Sequence, residues 1–400
     1  MTDKRIYLDH NATTPVDPVV LEAMLPFFTE APGNANSRSH PYGWEATAAV
    51  EHASAQLASL LDVSEDSLIY TSGATESINL ALKGLAETWK DKAAHFVTCE
   101  TEHPAVLDTL DYLERKGWKV TRLPVNEEGH INLDELESSL TKETLAVVIM
   151  WANNETGVIH PVPEIGAICR KHKVFFVCDA TQAVGKIEVY PAKYGIDLMA
   201  FSGHKFYGPK GIGGLYVSPD KPRTKIKPQI HGGGHQHGLR SGTLNVPGVV
   251  GMGKAAELSM THGMKEQARL AKLRNNLENY LLENIAEVSR NGDVNHRLPH
   301  VSNLCFKLVD GEQLMVLVNE IVAVSSGSAC TSADPDPSHV LLAMGLSEAD
   351  AKASIRFSLG RSTSETDIDR VAAVFEEKVA KLRNENPVWE LFTSGVDLGI

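Results

Sequence analysis

The sequence predicts an α/β fold in two unequal parts, a large one on a seven-stranded, mostly parallel sheet and a smaller α/β one towards the C-terminus. Three observations predict it. Between residues 65 and 217 short β-branched runs alternate with helix-period segments, the pattern of a mostly parallel sheet wrapped by helices. A stretch at 247–285, rich in Ala, Leu, Glu and Lys and free of strand signals, reads as a helical connector between lobes. Beyond it a second, shorter alternation begins.

In chain order, strands of the large part are expected at 67–71, 95–99, 119–123, 146–151, 174–178, 198–201 and 213–217. Helices are expected between them at 74–91, 104–116, 133–140 and 163–172, where apolar residues recur at i, i+3, i+4 and several starts follow Thr, Ser or Asn caps. The second part carries strands near 303–309, 322–326 and 354–359, with helices near 312–319, 338–344 and 367–382. No internal repeat or low-complexity tract is evident.

A chain of 400 residues with 42% hydrophobic content can bury a large core. The net charge of -13 argues against nucleic-acid binding as its main business, because no excess of Lys and Arg exists to neutralise phosphates. The N-terminal MTDKRIYLDHNATTP has no apolar core of a signal peptide, and no window approaches the ~18 apolar residues that cross a bilayer. A cytoplasmic location is the resulting expectation. The cysteines, Cys99, Cys169, Cys178, Cys305 and Cys330, are odd in number and widely spaced. Neither a disulfide framework nor a cysteine zinc site is suggested.

The strongest chemical signal is Ser202-Gly203-His204-Lys205, directly after an apolar run and before a Gly- and Pro-rich turn. A lysine at a strand end can form a Schiff base with an aldehyde cofactor where its neutral amine is favoured. An arbitrary lysine on a turn is usually just a solvated charge. Asp179 closes the apolar run 174–178, at the sheet edge where α/β folds bind ligands. It suits a pyridinium nitrogen, and equally an ordinary helix cap.

Thr71-Ser72-Gly73-Ala74-Thr75-Glu76 reads as strand, small turn and helix start, offering N–H groups and hydroxyls to a phosphate. It is neither of the common nucleotide-loop fingerprints, and S/T-x-x-E is also a capping box. His103, before Pro104, opens a helix and can stack on a ring and move protons, or simply make the turn. The amides of Asn153-Asn154-Glu155 can likewise either ligate or cap. Arg356, inside a strand-like run, can grip a carboxylate through two parallel bonds or sit exposed on an edge strand.

Cys330 ends a run of small polar residues that reads as a mobile loop, and it is the one cysteine outside an apolar pattern. An ordinary thiol is only slightly ionised at neutral pH, so a catalytic role needs a nearby base or cation, for which Arg356 and His103 are candidates. The three histidines of His231-Gly-Gly-Gly-His235-Gln-His237 invite a metal reading, but without placed carboxylates they read better as a loop close to another chain or to a cofactor mouth.

Together these segments resemble the cysteine desulfurases that supply sulfur for iron-sulfur cluster assembly, a branch of the fold-type I pyridoxal-phosphate enzymes in the class-V aminotransferase superfamily. The match runs from Leu8-Asp9-His10-Asn11-Ala12-Thr13-Thr14-Pro15 through Thr101-Glu102-His103, Asp179 to Gln182, Ser202 to Lys205 and Arg240-Ser241-Gly242-Thr243 to Ser325 to Thr331 and Ile355-Arg356-Phe357-Ser358. The resemblance implies pyridoxal 5'-phosphate as cofactor. It makes Lys205 the Schiff-base lysine, stacks His103 on the ring and sets Asp179 at the pyridine nitrogen. Gln182 and Asn154 would contact the ring oxygen and substrate, while Ala74, Thr75, Ser202 and His204 would hold the phosphate. Thr243 would reach the neighbouring subunit's phosphate, so that a homodimer is the active form. Arg356 would bind the carboxylate of L-cysteine, and Cys330 would take the sulfur as a persulfide, leaving alanine.

The resemblance further implies a large domain at 13–260 and a small one from 1–12 with 261–400, which carries the cysteine loop. Residues 325–337 are similar to the long-loop group that serves scaffold proteins. Arg38, Trp44 and the C-terminal Trp389-Glu390-Leu391-Phe392 sit where such enzymes meet an iron-sulfur scaffold and other sulfur acceptors. No intrinsic metal is implied, although Cys330 would transiently ligate a cluster shared with a scaffold. Met150-Trp151-Ala152 and the segment after Glu102 are closer to the nitrogen-fixation branch. Rival readings are a selenocysteine lyase, a small aminotransferase and a non-catalytic sulfur-carrier platform.

Overall fold

The computed structural model describes residues 5–219, 224–326 and 336–395. Twelve strands occur among these residues. They are β1 (Ile6–Tyr7), β2 (Leu68–Thr71), β3 (His95–Cys99), β4 (Lys119–Leu123), β5 (Thr144–Val148), β6 (Phe175–Asp179), β7 (Leu198–Ser202), β8 (Gly213–Val217), β9 (Val288–Arg290), β10 (Val301–Phe306), β11 (Val322–Ala323) and β12 (Ser354–Ser358).

Seven of them form one sheet in the order β2-β8-β7-β6-β5-β3-β4. Only β8 runs against its neighbours, pairing antiparallel with both β2 and β7. The central strands are buried on both faces, which is why they read as continuous apolar runs. Successive residues point to opposite sides. Val97, Val147, Phe176, Cys178, Met199 and Phe201 join one apolar cluster, with Leu57, Leu61, Val249 and Met252 from helices. Phe96, Ala146, Val148, Phe175, Val177, Leu198 and Ala200 join the other, with Ile78, Leu82, Leu85, Val106 and Leu110. Two helical layers thus sandwich the sheet.

Helix Pro41–Leu61 was not marked by the sequence pattern, because its buried stripe is largely alanine: Ala46, Ala53 and Ala58 with Leu57 and Leu61. Small residues are what let it lie close to the long helix Val246–Asn284. A Cβ added at Gly253 would come within 2.6 Å of Ala53, so glycine is required at the crossing. The 39-residue helix is ~58 Å long at 1.5 Å per residue and serves both parts. Its first half buries Val249, Met252 and Ala256 against the large sheet. Its second half buries Leu270, Leu273, Leu277 and Leu281 in a separate cluster with Leu304, Phe306, Ile355, Phe357 and Phe375. Ile6 and Leu8 from the N-terminus belong to that second cluster.

The second part holds an antiparallel sheet in the order β12-β10-β9 and a parallel pair of β1 with β11. Several expected boundaries move. The strand expected at 146–151 is Thr144–Val148, although Ile149 and Trp151 still donate backbone N–H bonds to Val177 and Asp179 of β6. The one expected at 303–309 is Val301–Phe306, and that at 322–326 shrinks to Val322–Ala323. No helix among the described residues is long and apolar enough to cross a membrane.

Candidate active site

A cavity of about 470 Å³ opens at the carboxyl ends of β2, β5, β6 and β7, where the small part closes over the sheet. It is lined by Ala74, Thr75, His103, Asn154, Asp179, Gln182, Ser202, His204, Lys205 and Arg356. Ten of the residues singled out in the sequence are therefore brought together.

One end is built for an anion. β2 stops at Thr71, and helix Ala74–Trp89 begins behind Gly73, which supplies no side-chain cap. The first-turn N–H groups at Ala74 and Thr75 consequently stay available to a ligand at the positive end of the helix. Glu76, which would compete, is turned aside: it accepts from the Ser72 N–H at 2.8 Å and from Arg240 Nε at 2.8 Å. The turn settles on the sheet because β8 offers Gly213 there, where a Cβ would strike Gly73 at 2.6 Å. Ser202 and His204 approach from the end of β7. His204 Nδ1 lies 3.1 Å from Thr13 Oγ1. Burial, with Lys205, Lys210 and Lys186 nearby, pushes its pKa down to about 4, so the ring is neutral at pH 7.

Lys205 reaches across to the N-terminal strap, donating to the carbonyls of Asn11 at 2.6 Å and Ala12 at 2.8 Å. Asp179 is buried at the end of β6, and its Oδ1 accepts the Thr181 N–H at 2.9 Å. Both readings of this acid hold, since it caps a turn and lines the cavity. His103 is likewise both a cap and a wall. Its Nδ1 accepts the Ala105 N–H at 3.1 Å, so the neutral ring carries its proton on Nε2.

Arg356 is 3% exposed, which excludes a surface role although β12 is an edge strand. Its Nη2 donates to Asp9 Oδ1 at 2.7 Å and its Nη1 to the Asn154 carbonyl at 3.0 Å, while Nε is buried with no hydrogen-bond partner among the described residues. Two fully buried acids stand behind the site. Burial, with Asp179 nearby, raises Glu102 well above the usual carboxyl range, and burial raises Glu155, whose carboxylate accepts from Ser338.

Cys330 lies outside the described residues. The described chain before it is bridged to Arg356, with Arg356 N donating to the Ser325 carbonyl at 2.6 Å, and the chain after it includes Ser338, bonded to Glu155. The other four cysteines are buried and form no disulfide among the described residues. Burial first, then neighbouring acids, raises the thiols of Cys99 and Cys178 far above the ordinary value and that of Cys305 to about 12.

Thr243 is exposed and does not line the cavity of its own chain. Arg38 and Trp44 flank a separate surface hollow with Gly233 and His235, Trp44 Nε1 donating to the Arg38 carbonyl at 2.8 Å. In helix Pro387–Thr393, Trp389 stacks on Phe392 while Leu391 stays exposed. Among the described residues, His231, His235 and His237 belong to no cluster with metal-ligating spacing. Among the described residues the cluster with such spacing is Glu128, His130 and Asp293. There Asp293 already joins His130 and His296, each at 2.9 Å. Sequence reasoning assigned no role to Asn11, Lys186 or Asp9, whose site contacts span the chain.

This fold and site define a class. The class-V aminotransferase family matches residues 6–371, and the chain belongs to it. Within that family it belongs to the cysteine desulfurases. It is 50% identical over 393 residues to a cysteine desulfurase IscS of Anaeromyxobacter dehalogenans, covering 98% of this chain and 97% of the relative. It is 48% identical over 395 residues to the protein of the same name from Neisseria meningitidis, covering 98% and 96%. Among solved structures, a NifS-like protein superposes with a TM-score of 0.88 at 38% identity, covering 95% of this chain and all of that one. Another, described as SspA in complex with cysteine, has a TM-score of 0.79 at 35% identity over 89% of this chain and 99% of its own.

The cofactor is pyridoxal 5'-phosphate, and the cavity fits it. An uncapped helix N-terminus suits the phosphate, a lysine amine stands at the sheet edge for the aldehyde, and a buried carboxylate suits a pyridinium nitrogen.

Proposed function

We propose that this chain takes sulfur from free L-cysteine, releasing L-alanine and leaving a persulfide on Cys330. The observation that carries the reading is that Lys205, Asp179 and Arg356 face one cavity. Cys99, Cys178 and Cys305 are held buried and protonated, which favours Cys330 as acceptor. The cysteine complex of a structural neighbour supports the substrate.

Ala74, Thr75, Ser202 and His204 would hold the cofactor's phosphate, with Asp179 at its ring nitrogen and Gln182 and Asn154 along its edge. Bound through Lys205, pyridoxal phosphate supplies an electron sink for the pair left when the substrate α-proton departs. Arg356 grips the substrate carboxylate with its Nη groups. His103 would stack on the cofactor ring, and it carries its exchangeable proton on Nε2. The Cys330 thiolate attacks the substrate sulfur, forming the S–S bond as the Cβ–S bond breaks, and that electron pair leaves with the carbon fragment. Protonation of the fragment yields alanine.

The persulfide then passes to acceptor proteins for iron-sulfur cluster assembly. Arg38, Trp44 and the helix Pro387–Thr393 are the surfaces we assign to those partners. Residues 13–260 would form the cofactor domain, with 1–12 and 261–400 the domain that bears Cys330. A homodimer in which Thr243 reaches the partner's phosphate site, working in the cytoplasm, completes the reading. The test is alanine formation from cysteine by the Cys330→Ala variant: near-complete loss is expected, and full activity would overturn the assignment.

A further inference from the structure

Gln182 sits on the cavity wall with both ends of its amide assigned. Nε2 donates to the Asn11 carbonyl at 3.0 Å, and Oε1 accepts from Lys186 Nζ at 2.7 Å. A carbonyl only accepts and an ammonium only donates, so the amide has one orientation. Its second N–H is left for whatever occupies the cavity.

Lys186 lies four residues on, in the turn after β6. It is half-buried, and no carboxylate is paired with it among the described residues. Its acceptors are two neutral amide oxygens, Gln182 Oε1 and Asn11 Oδ1 at 3.3 Å. A partly buried ammonium with no carboxylate partner is disfavoured relative to its neutral form. Burial, together with Lys205 and Arg356, accordingly lowers its pKa well below the ordinary value. Asn11 links the same lysine to the rest of the site: its carbonyl also accepts from Lys205, and its Nδ2 donates to the Asn154 carbonyl at 2.9 Å.

We propose that Lys186 is a positioning residue, which locks the Gln182 amide so that nitrogen rather than oxygen faces the bound cofactor. The inference rests on the functional reading above, since the occupant it serves is pyridoxal phosphate with its anionic oxygens.

The test compares the visible circular dichroism and the cofactor dissociation constant of the holoenzyme across variants. Lys186→Met is expected to change the dichroic band and weaken cofactor retention about tenfold, matching ~1.4 kcal/mol. Gln182→Ala should do the same, and the double variant should be no worse than Gln182→Ala alone, because one residue acts through the other. Lys186→Gln keeps a donor for Oε1 and should retain the wild-type band. A wild-type band in Lys186→Met, or additive losses in the double variant, would overturn the proposal. Should Lys186→Met fail to fold, Lys186→Gln still decides, since a band like that of Gln182→Ala contradicts an N–H lock. A wild-type protein that binds no cofactor sinks the functional reading itself, whereas a coloured wild type with a silent Lys186→Met sinks only this inference.

Discussion

The two walls of the cavity are built differently. The sheet wall takes Thr75, Asp179, Ser202, His204 and Lys205 from the carboxyl ends of β2, β6 and β7 and the turns that follow them. The opposite wall rests on Arg356, held by Asp9 from 347 residues away and by the Asn154 carbonyl from 202 away. The first wall is carried on one sheet and suits a permanent cofactor. The second depends on the small part closing over the sheet, and suits a substrate that comes and goes.

Removing the chemistry of the sheet wall should have the largest effect. Lys205→Ala is expected to lose the visible cofactor band and lower alanine formation on the order of 10³-fold or more. Spectra and turnover at saturating cysteine measure both. The Arg356 wall should fail in a different way. Arg356→Gln should lower kcat/KM by roughly 10- to 100-fold, chiefly through KM, because hydrogen bonds to a charged group contribute ~1.5–3 kcal/mol. A loss confined to kcat would place Arg356 elsewhere in the mechanism. Asp9→Asn, which loosens the guanidinium without removing it, should raise KM by only several-fold, about 1 kcal/mol.

Both walls touch the strap from Asp9 to Thr14, and acid should loosen it. His10 is buried and its pKa is pushed down to about 4, while His300, bonded to Asn11 at 2.9 Å, lies well below its ordinary value, mainly through burial. His160, also buried, is held at about 4. Each is neutral in the fold and takes up a proton on unfolding below its unfolded pKa of ~6.5. Their contribution to stability is therefore intact above that pH and is lost as pH falls from ~6.5 towards 4. A melting temperature that drops across this window, and less so in His10→Gln, is the expected outcome. Cys178→Ala should leave persulfide yield unchanged, the smallest effect predicted, since its buried thiol takes no part.

The same contrast explains what the sequence made legible. The central strands of the large sheet carry apolar residues on both faces, so their pattern is strong. Asp179, Ser202, His204 and Lys205 could then be placed at strand ends. Asn11, Asp9 and Lys186 were not legible as site residues, because their roles come from pairings such as Lys205 with Asn11, 194 residues apart. β9, at three residues, and β1, at two, are too short to leave a period. Helix Pro41–Leu61 was hidden by an alanine stripe that packs well yet scores weakly as an apolar face.

The central claim is that sulfur drawn from the substrate in this cavity ends on Cys330. The direct measurement is peptide-resolved mass spectrometry of the holoenzyme after incubation with L-cysteine and quenching by a thiol-alkylating reagent. The account predicts a gain of one sulfur atom on the Cys330 peptide and on none of those bearing Cys99, Cys169, Cys178 or Cys305. Alanine formed in quantity with no added sulfur on Cys330, or with the sulfur on another cysteine, would contradict it.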